Sequence, residues 1–212
     1  MITDIAGILI ERKEWFLELL LDHVMLAGTA ILLAGSIGLA LGILINQYQK
    51  SAQLVLSLVN MLYTIPDIAM FGFLIPLTGI GKKTAVTALT VYALLPMIRN
   101  TYTGLCQVDA DILEAAAGMG STKWQVLFRI QLPMAFSVIL AGIRNMVVMV
   151  ISIAGIASFI GAGGLGSAIY RGIATNNSAL MIAGSILIAL MAIAADIVFG
   201  LLEKHVKKRW KV

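Results

Sequence analysis

Long apolar runs separated by short polar segments dominate the chain. A helix needs roughly 20 apolar residues to cross the hydrocarbon core of a bilayer. Five runs approach that length, at residues 24–45, 54–77, 84–98, 134–157 and 179–202. They lack the alternation of a membrane β-strand, and their Leu, Ala, Met and Gly content suits helices. The pattern therefore predicts an all-α integral membrane protein with about five transmembrane helices.

The second run is interrupted by Pro66, Asp67 and Pro76. Proline removes a backbone donor and clashes with the preceding turn, so this run could be two pieces hinged at Pro66, which would make six spans. Asp67 would then lie beside unwound backbone that can line a cavity. Two interpretations stay open: a pathway carboxylate that attracts a cationic solute, or a capped hinge carboxylate.

Two further runs each contain one charged residue, Arg144 in the fourth and Asp196 in the fifth. A charge within a span is costly and usually faces protein or water. At about 1.5 Å per residue, Arg144 lies about 15 Å into its run and Asp196 about 10 Å from Glu203 at the same membrane side. We expect the two to pair, within one chain or across a dimer. Pro66, Asp67, Arg144 and Asp196 are the candidate pathway or gating residues, with a packing ion pair as the alternative role for the last two.

Composition supports a membrane protein and excludes several other classes. The chain is 60% hydrophobic and 12% charged, against about 25% charged in soluble domains. That leaves too little polar surface for nucleic-acid binding, and the single Cys106 excludes an intrachain disulfide. There is no Walker lysine motif, and His23 and His205 lie at opposite ends of the sequence. We therefore expect neither a catalytic site nor a metal site.

The distribution of Lys and Arg predicts the orientation, because short cytoplasmic loops are enriched in them. With the N-terminus outside, nine basic residues lie in the cytoplasm (Lys50, Arg99, Lys123, Arg129, Lys204, Lys207, Lys208, Arg209, Lys211) and five outside (Arg12, Lys13, Lys82, Lys83, Arg171). This favours an N-terminus outside and a C-terminus inside. Residues 1–22 are then a lead-in segment on the outer side, without the basic start of a signal peptide. Residues 23–203 form the transmembrane domain, and residues 204–212 form a basic cytoplasmic tail on anionic head groups, with Trp210 at the interface.

Two glycine patterns have structural rather than nucleotide-binding interpretations. Residues 160–167, IGAGGLGS, fit G-x-G-x-x-G at Gly161, Gly163, Gly164 and Gly166. A dinucleotide site would need a preceding strand and an acid about 20 residues on. Here a membrane span precedes, and the next acid is Asp196. We therefore expect a compact, extracellular re-entrant turn packed against neighbouring helices. Gly38 and Gly42 form G-x-x-x-G, which is typical of close helix packing.

Residues 109–133, DADILEAAAGMGSTKWQVLFRIQLP, lie between the third and fourth predicted spans and read as two short helices. Asp109 or Asp111 can cap the first, with Glu114 completing a capping box after Asp111, and Gly120 ends it. Ser121 or Thr122 caps the second, which we expect to end before Pro133. The small residues of the first helix allow another surface to approach closely. From spacing alone, two roles are about equally favoured: a protruding segment that docks on another protein, and an amphipathic connector that lies on the membrane surface.

The same loop resembles the EAA motif of ABC-importer permeases: E-A-A, three residues, Gly, nine residues, Ile-x-Leu-Pro. The matching residues are Glu114, Ala115, Ala116, Gly120, Ile130, Leu132 and Pro133. Further stretches resemble the osmoprotectant, or quaternary-amine, permease subfamily: YTIPDIAMFGFLIPL, LAGIRNMVV, FIGAGGLGSAI and ADIVFGLLEK. The resemblance implies a type I ABC importer permease fold with a cytoplasmic coupling-helix loop. In it, Glu114 would contact an ATPase and Gly120 would set the angle between the coupling helices. Asp67 departs from the pattern, where a small neutral residue such as serine is expected.

The resemblance also implies partners and a cargo. It implies two copies of a cytosolic ATPase, which bind ATP and Mg, while this chain binds no cofactor. It implies a second permease chain, identical or related, and an extracellular or periplasmic solute-binding protein that is not fused here. The membrane is the plasma (inner) membrane of a prokaryote. Glycine betaine, carnitine or choline would pass by alternating access; methionine-type amino acid import and a non-transporting membrane adaptor are the alternatives. Trp15, Trp124 and Trp210 lie outside the predicted spans and offer no aromatic cage within them.

Overall fold

The computed structural model describes residues 2–210, with the backbone alone at residues 2, 206, 207, 209 and 210. Ten α-helices occupy most of that range: α1 (Ile2–Glu11), α2 (Lys13–Gln47), α3 (Gln49–Tyr63), α4 (Asp67–Thr78), α5 (Lys82–Cys106), α6 (Ala110–Gly118), α7 (Lys123–Val126), α8 (Leu132–Ala154), α9 (Gly166–Ala174) and α10 (Ser178–Trp210). A π turn, Leu127–Gln131, joins α7 to α8, and a 3-10 helix, Ile156–Ile160, follows α8. Residues 2–210 contain no strand. The all-α prediction is confirmed.

Helix α5 forms the centre of the bundle. It packs against α2 and α8 on two sides and against α3 and α4 elsewhere. Its residues Ala85, Ala88, Leu89, Ala93 and Ile98 are completely buried. A helix surrounded by other helices meets little lipid, which explains why α5 tolerates buried threonines at positions 84 and 101 and is less apolar than its neighbours.

Within residues 2–210, three helices are long and apolar enough to cross a membrane: Lys13–Gln47, Lys123–Ala154 and Ser178–His205. A bent pair, Gln49–Tyr63 with Asp67–Thr78, makes a fourth if it counts as one span. The remaining predicted span is α5, whose 25 residues give a length of about 37 Å. That length would suffice for a span, but α5 is not among the helices that are apolar enough by themselves.

The second predicted run is sharply broken at Pro66, as the two-piece interpretation expects. The axes of α3 and α4 differ in direction by 98°. Pro66 precedes α4 with φ −59° and ψ 142°, an extended conformation that ends one helix and begins the next. Pro76, by contrast, lies inside α4 without ending it.

The two predicted segment boundaries near the ends of the chain both fall inside helices. Helix α2 begins at Lys13, so residue 22 lies within a continuous helix, and the lead-in segment is helical. Phe16 and Leu19 are buried there against Leu165 and Ala168, which explains why the helix extends so far. At the other end, α10 continues through the predicted tail to Trp210. Residues 211 and 212 and the Trp210 side chain lie outside the described residues.

The G-x-x-x-G pair lies where α2 crosses α5. A Cβ atom on Gly38 would lie 2.7 Å from Cβ of Met97, and one on Gly42 would lie 2.5 Å from Cβ of Thr101. No real Cβ contact is that short, so both glycines are required for the approach of the two helices. The packing interpretation of this motif is confirmed.

We expect Gly42→Ala to destabilise the protein, because the methyl group would push α2 away from Thr101 and from the Ile98 carbonyl. Overpacking of this kind costs roughly 1–3 kcal/mol, or a fall of roughly 2–10 °C in the melting temperature of the purified protein in detergent. Gly28→Ala is the matched control, since a Cβ there meets nothing within 4 Å. Equal melting temperatures for the two variants would contradict the packing argument.

Candidate functional site

The candidate site is the elbow, defined as residues 109–133, which joins α5 to α8 at one end of the bundle. Its first helix, α6, is capped by Asp109, whose Oδ1 accepts the Asp111 N–H at 2.9 Å. The predicted capping box of Asp111 and Glu114 is therefore wrong. Because α6 begins at Ala110, Asp111 already lies within the first turn and Glu114 falls two positions too late to complete a box with Asp109.

Gly120 makes the bend between the two short helices. Its φ is +83°, a region that glycine enters without steric cost. Its N–H donates to the Ala117 carbonyl at 2.9 Å, and the Ser121 N–H donates to the Ala116 carbonyl at 3.1 Å. These two bonds form a Schellman motif. They satisfy carbonyls at the end of α6 and give the elbow a defined shape.

The second helix begins with the capping box that the first one lacks. Gln125 N–H donates to Thr122 Oγ1 at 3.3 Å, and Thr122 N–H donates to Gln125 Oε1 at 2.8 Å. The expectation that this helix ends before Pro133 is wrong, because residues Lys123–Ala154 are one continuous helix. The π turn just before Pro133 lets the Leu132 N–H reach the Leu127 carbonyl, and such a wider turn accommodates a residue without an N–H.

The motif residues divide into an exposed set and a structural set. Glu114 and Ala115 are exposed, whereas Ala116 is 1% exposed and holds α6 to the bundle. A Cβ added at Gly118 or Gly120 would meet nothing within 4 Å. Ile130, Leu132 and Pro133 are half-buried in and after the π turn. The elbow thus presents the Glu114 carboxylate beside an open surface of very small side chains, and α8 connects it rigidly to the bundle.

Asp67 lies at the Pro66 break beside two tyrosines. The Tyr92 hydroxyl donates to the Ile65 carbonyl and lies near the Asp67 carboxylate. The rings of Tyr63 and Tyr92 meet edge to face, with 6.1 Å between their centroids. Tyr63 is 45% exposed while Tyr92 is 2% exposed. The Pro66 break therefore has Asp67 near the buried Tyr92, whose ring contacts the exposed ring of Tyr63.

Arg144 and Asp196 form a bidentate ion pair within one chain. Nε of Arg144 lies 2.6 Å from Oδ1 of Asp196, and Nη2 lies 2.7 Å from Oδ2. Glu203 adds a third contact, with its Oε2 at 3.4 Å from Nη1. The guanidinium lies over Gly200, where a Cβ would be 3.2 Å from Cζ. The cluster joins α8 to α10, as the matching depths of the two charges predict.

The glycine turn, residues 155–166, folds back against the bundle at the end opposite to the elbow. Gly161, Gly163 and Gly164 have φ values of +73°, +86° and +77°. A Cβ on Gly166 would lie 1.8 Å from the Gly155 carbonyl oxygen, so only glycine fits there. The turn follows the helical segment Ile156–Ile160 rather than a strand. It therefore has the compact form we expect from the sequence and lacks the frame of a dinucleotide site.

His23 anchors this turn from within α2. Its Nδ1 accepts the Leu165 N–H at 3.2 Å, and its Nε2 lies 3.0 Å from the Ile151 carbonyl oxygen. A ring that accepts at Nδ1 carries its proton at Nε2, so the histidine is neutral and makes both bonds. The neighbouring Asp22 pairs with Lys82 at 2.7 Å. Helices α2, α5 and α8 are thus linked at this end by polar contacts.

The sequence profile of the binding-protein-dependent transport system inner membrane components matches residues 14–211. That match covers most of the chain. The chain belongs to this family. Membership makes it a permease, a multi-pass inner-membrane subunit whose family works with an ATPase and a substrate-binding protein.

Two relatives and one solved structure support the assignment. The permease is 44% identical over 183 residues to the carnitine transport permease protein OpuCD of Listeria monocytogenes serotype 1/2a, covering 86% of this chain and 82% of the relative. It is 45% identical to the glycine betaine/carnitine/choline transport system permease protein OpuCD of Bacillus subtilis, covering 86% and 80%. An inward-facing structure of the MetNI methionine ABC transporter matches with a TM-score of 0.85 at 22% identity, covering 92% of this chain and 98% of that one. At that identity the likeness shows a common fold.

Several residues of the permease were missed by sequence reasoning. Glu203 and Gly200 complete the Arg144 cluster, and their positions at i+7 and i+4 from Asp196 on one helix could have indicated this. His23 was considered only as a catalytic or metal residue. A polar residue at the start of an apolar span is a signal for a buried contact, but the sequence does not reveal that the contact is the turn at Leu165.

We expect Arg144→Asp to lower the amount of folded permease in membranes strongly, because it places a third carboxylate beside Asp196 and Glu203. The double variant with Asp196→Arg restores the opposite charges and should recover part of the wild-type level. Immunoblotting of membranes after mild detergent extraction measures this. An equally low level in the double variant would contradict the pairing as a determinant of assembly.

Proposed function

We propose that this permease is the membrane-spanning subunit of an ATP-driven importer for osmoprotectants such as glycine betaine, carnitine or choline. The observation that carries the proposal is the high identity, over most of both chains, to relatives named for carnitine and for glycine betaine, carnitine and choline transport. The methionine transporter shares the fold at only 22% identity, so it gives no support to methionine as the cargo.

The elbow is the part that we assign to the ATPase. Glu114 and Ala115 are exposed, and the glycines at 118 and 120 leave open space around them. An ATPase groove can therefore reach the backbone of α6 and pair a cation with Glu114. Because α7 continues without a break into α8, a displacement of the elbow is transmitted to a membrane-spanning helix. This is a mechanical basis for alternating access powered by ATP and Mg on the partner.

We further assign the elbow and the C-terminus to the cytoplasm and the N-terminus and glycine turn to the outside. The nine-to-five excess of Lys and Arg supports this orientation. The assembly we propose contains two permease chains, identical or related, two ATPase chains and a separate solute-binding protein that docks on the outer side. The permease contributes no ATPase site.

We assign Asp67 to the solute pathway. The Pro66 break in the second span has the Asp67 carboxylate on one side and the exposed ring of Tyr63 on the other. The Tyr63 hydroxyl lies 3.6 Å from Met149 Sδ on α8. A carboxylate attracts a quaternary ammonium electrostatically, and an aromatic face adds cation–π attraction. Pro66 holds the backbone open at this position. Arg144 and Asp196 satisfy one another and serve as a structural tie between α8 and α10 rather than as solute ligands.

Glu114→Lys should abolish the stimulation of ATP hydrolysis by solute-loaded binding protein in the complete transporter. Reversing one charge at a docking contact costs roughly 2 kcal/mol or more, which corresponds to a loss of roughly thirtyfold or more in affinity. The measurement is ATPase activity of the transporter in proteoliposomes. Glu11→Lys, an exposed charge reversal on α1, is the control and should retain stimulation. Normal stimulation with Glu114→Lys would refute the docking assignment.

Asp67→Asn should raise the KM for choline severalfold and that for glycine betaine less. Choline carries a net positive charge, while glycine betaine also has a carboxylate that Asp67 repels. Uptake of both radiolabelled solutes into proteoliposomes measures the ratio, and Asp67→Glu should recover choline uptake in part. Unchanged uptake of both solutes would remove Asp67 from the pathway. Failure of the wild-type transporter to take up either solute would instead count against the osmoprotectant proposal.

A further inference from the structure

Two adjoining cavities lie between α2 and the elbow, and Glu114 and Ala115, which we assign to the ATPase contact, line neither of them. The first has a volume of about 690 Å³ and lies between the α2–α3 turn and the inner side of the elbow. Its lining is largely polar or cationic at the turn and includes Lys50, Lys123, Asn46 and Gln131. Neither cavity has a carboxylate among its lining residues. The lining therefore offers an anion two ammonium groups and no carboxylate.

The second cavity is mainly apolar and has a volume of about 580 Å³. Ala40, Ile43 and Leu44 line one wall, from the part of α2 that precedes its end at Gln47. Trp124 and Phe128 form the opposite wall, with stacked rings whose centroids are 5.8 Å apart. Both aromatic side chains are more than half exposed. Aromatic side chains are favoured at the level where a membrane span leaves the hydrocarbon region.

The two cavities share Gln47, Tyr48 and Lys123, so they form one groove with an apolar half and a cationic half. The apolar half follows α2 into the membrane, and the cationic half begins where α2 ends. The groove is thus apolar first and cationic further out of the bilayer. A phospholipid has the same order, with the acyl chain first and the phosphate further out. A soluble anion would leave the apolar half of the groove unfilled.

We propose that this groove binds one anionic phospholipid of the adjoining leaflet. Its phosphate lies between Lys50 and Lys123, and the upper part of one acyl chain lies against Leu44 and Phe128. Each lysine near an anionic membrane surface favours such a lipid by about fivefold. Because Lys123 begins the helix that continues into α8, the bound lipid links the elbow to the membrane surface. The inference depends on membership of a membrane permease family and not on the identity of the transported solute.

The test is site-specific photo-crosslinking in the complete transporter. Phe128 is replaced by benzoylphenylalanine, which keeps the aromatic ring, and the transporter is reconstituted in bilayers of phosphatidylglycerol and phosphatidylcholine at a known ratio. After illumination, mass spectrometry of the peptide that contains residue 128 identifies the attached lipid. We expect phosphatidylglycerol adducts to exceed the bilayer ratio by about fivefold to thirtyfold.

The double variant Lys50→Gln with Lys123→Gln, made in the same crosslinking background, should bring the adducts back to about the bilayer ratio. Lys83→Gln is the matched control, because Lys83 is an exposed lysine at the N-terminal end of α5, at the opposite end of the bundle, and should leave the enrichment intact. Adducts at the bilayer ratio in the unmodified background would overturn the proposal, as would full enrichment in the double variant. A crosslink to the ATPase in place of lipid would show that a protein covers the groove and would also overturn it.

Discussion

Backbone groups that a broken helix leaves unpaired must find partners inside the protein, because hydrocarbon offers none. The permease interrupts its helices at the Pro66 break and at the glycine turn. In each place a buried side chain from another helix supplies the missing bond. The Tyr92 hydroxyl donates to the Ile65 carbonyl at the break, and His23 accepts the Leu165 N–H at the turn. The rest of the bundle can be built from continuous helices because these two interruptions are satisfied.

The same constraint explains the position of α5. A helix that supplies Tyr92 to the break and packs on α2 and α8 has to be central. Its neighbours can approach closely only where side chains are absent, at Gly38 and Gly42. Threonines and a proline are then tolerated in α5 because other helices cover them. The more apolar helices α2, α8 and α10 are left to meet the lipid. Helix α10 is the most exposed of these, because only 6% of its apolar 18-residue stretch is buried.

The shape of the elbow, by contrast, is fixed by hydrogen bonds between residues that are close in the chain. Asp109, Thr122 and Gln125 satisfy the starts of its helices, and Gly120 allows the bend. Such local rules need few distant contacts, which leaves the outer face of α6 free for a partner. The inner face is not free, because Ala116 is buried. One short segment can thus be both a rigid extension of α8 and an exposed surface for an ATPase.

The amino-acid sequence by itself determined the helical membrane class, the break at Pro66, the glycine turn and the elbow with its bend at Gly120. Each of these depends on neighbours in the chain: apolar run length, proline and glycine geometry, and capping spacing. Only the tertiary structure decided that α2 extends to Lys13, that Pro133 sits in a continuous helix, and that His23 bonds to Leu165 and Ile151. It also decided that Glu203 joins the ion pair of Arg144 and Asp196. The extension of α2 and the His23 bonds depend on which helices lie side by side, which neither periodicity nor composition specifies. The segments that α2 contacts there, at Ile151 and at the glycine turn, are more than 120 positions away in the chain.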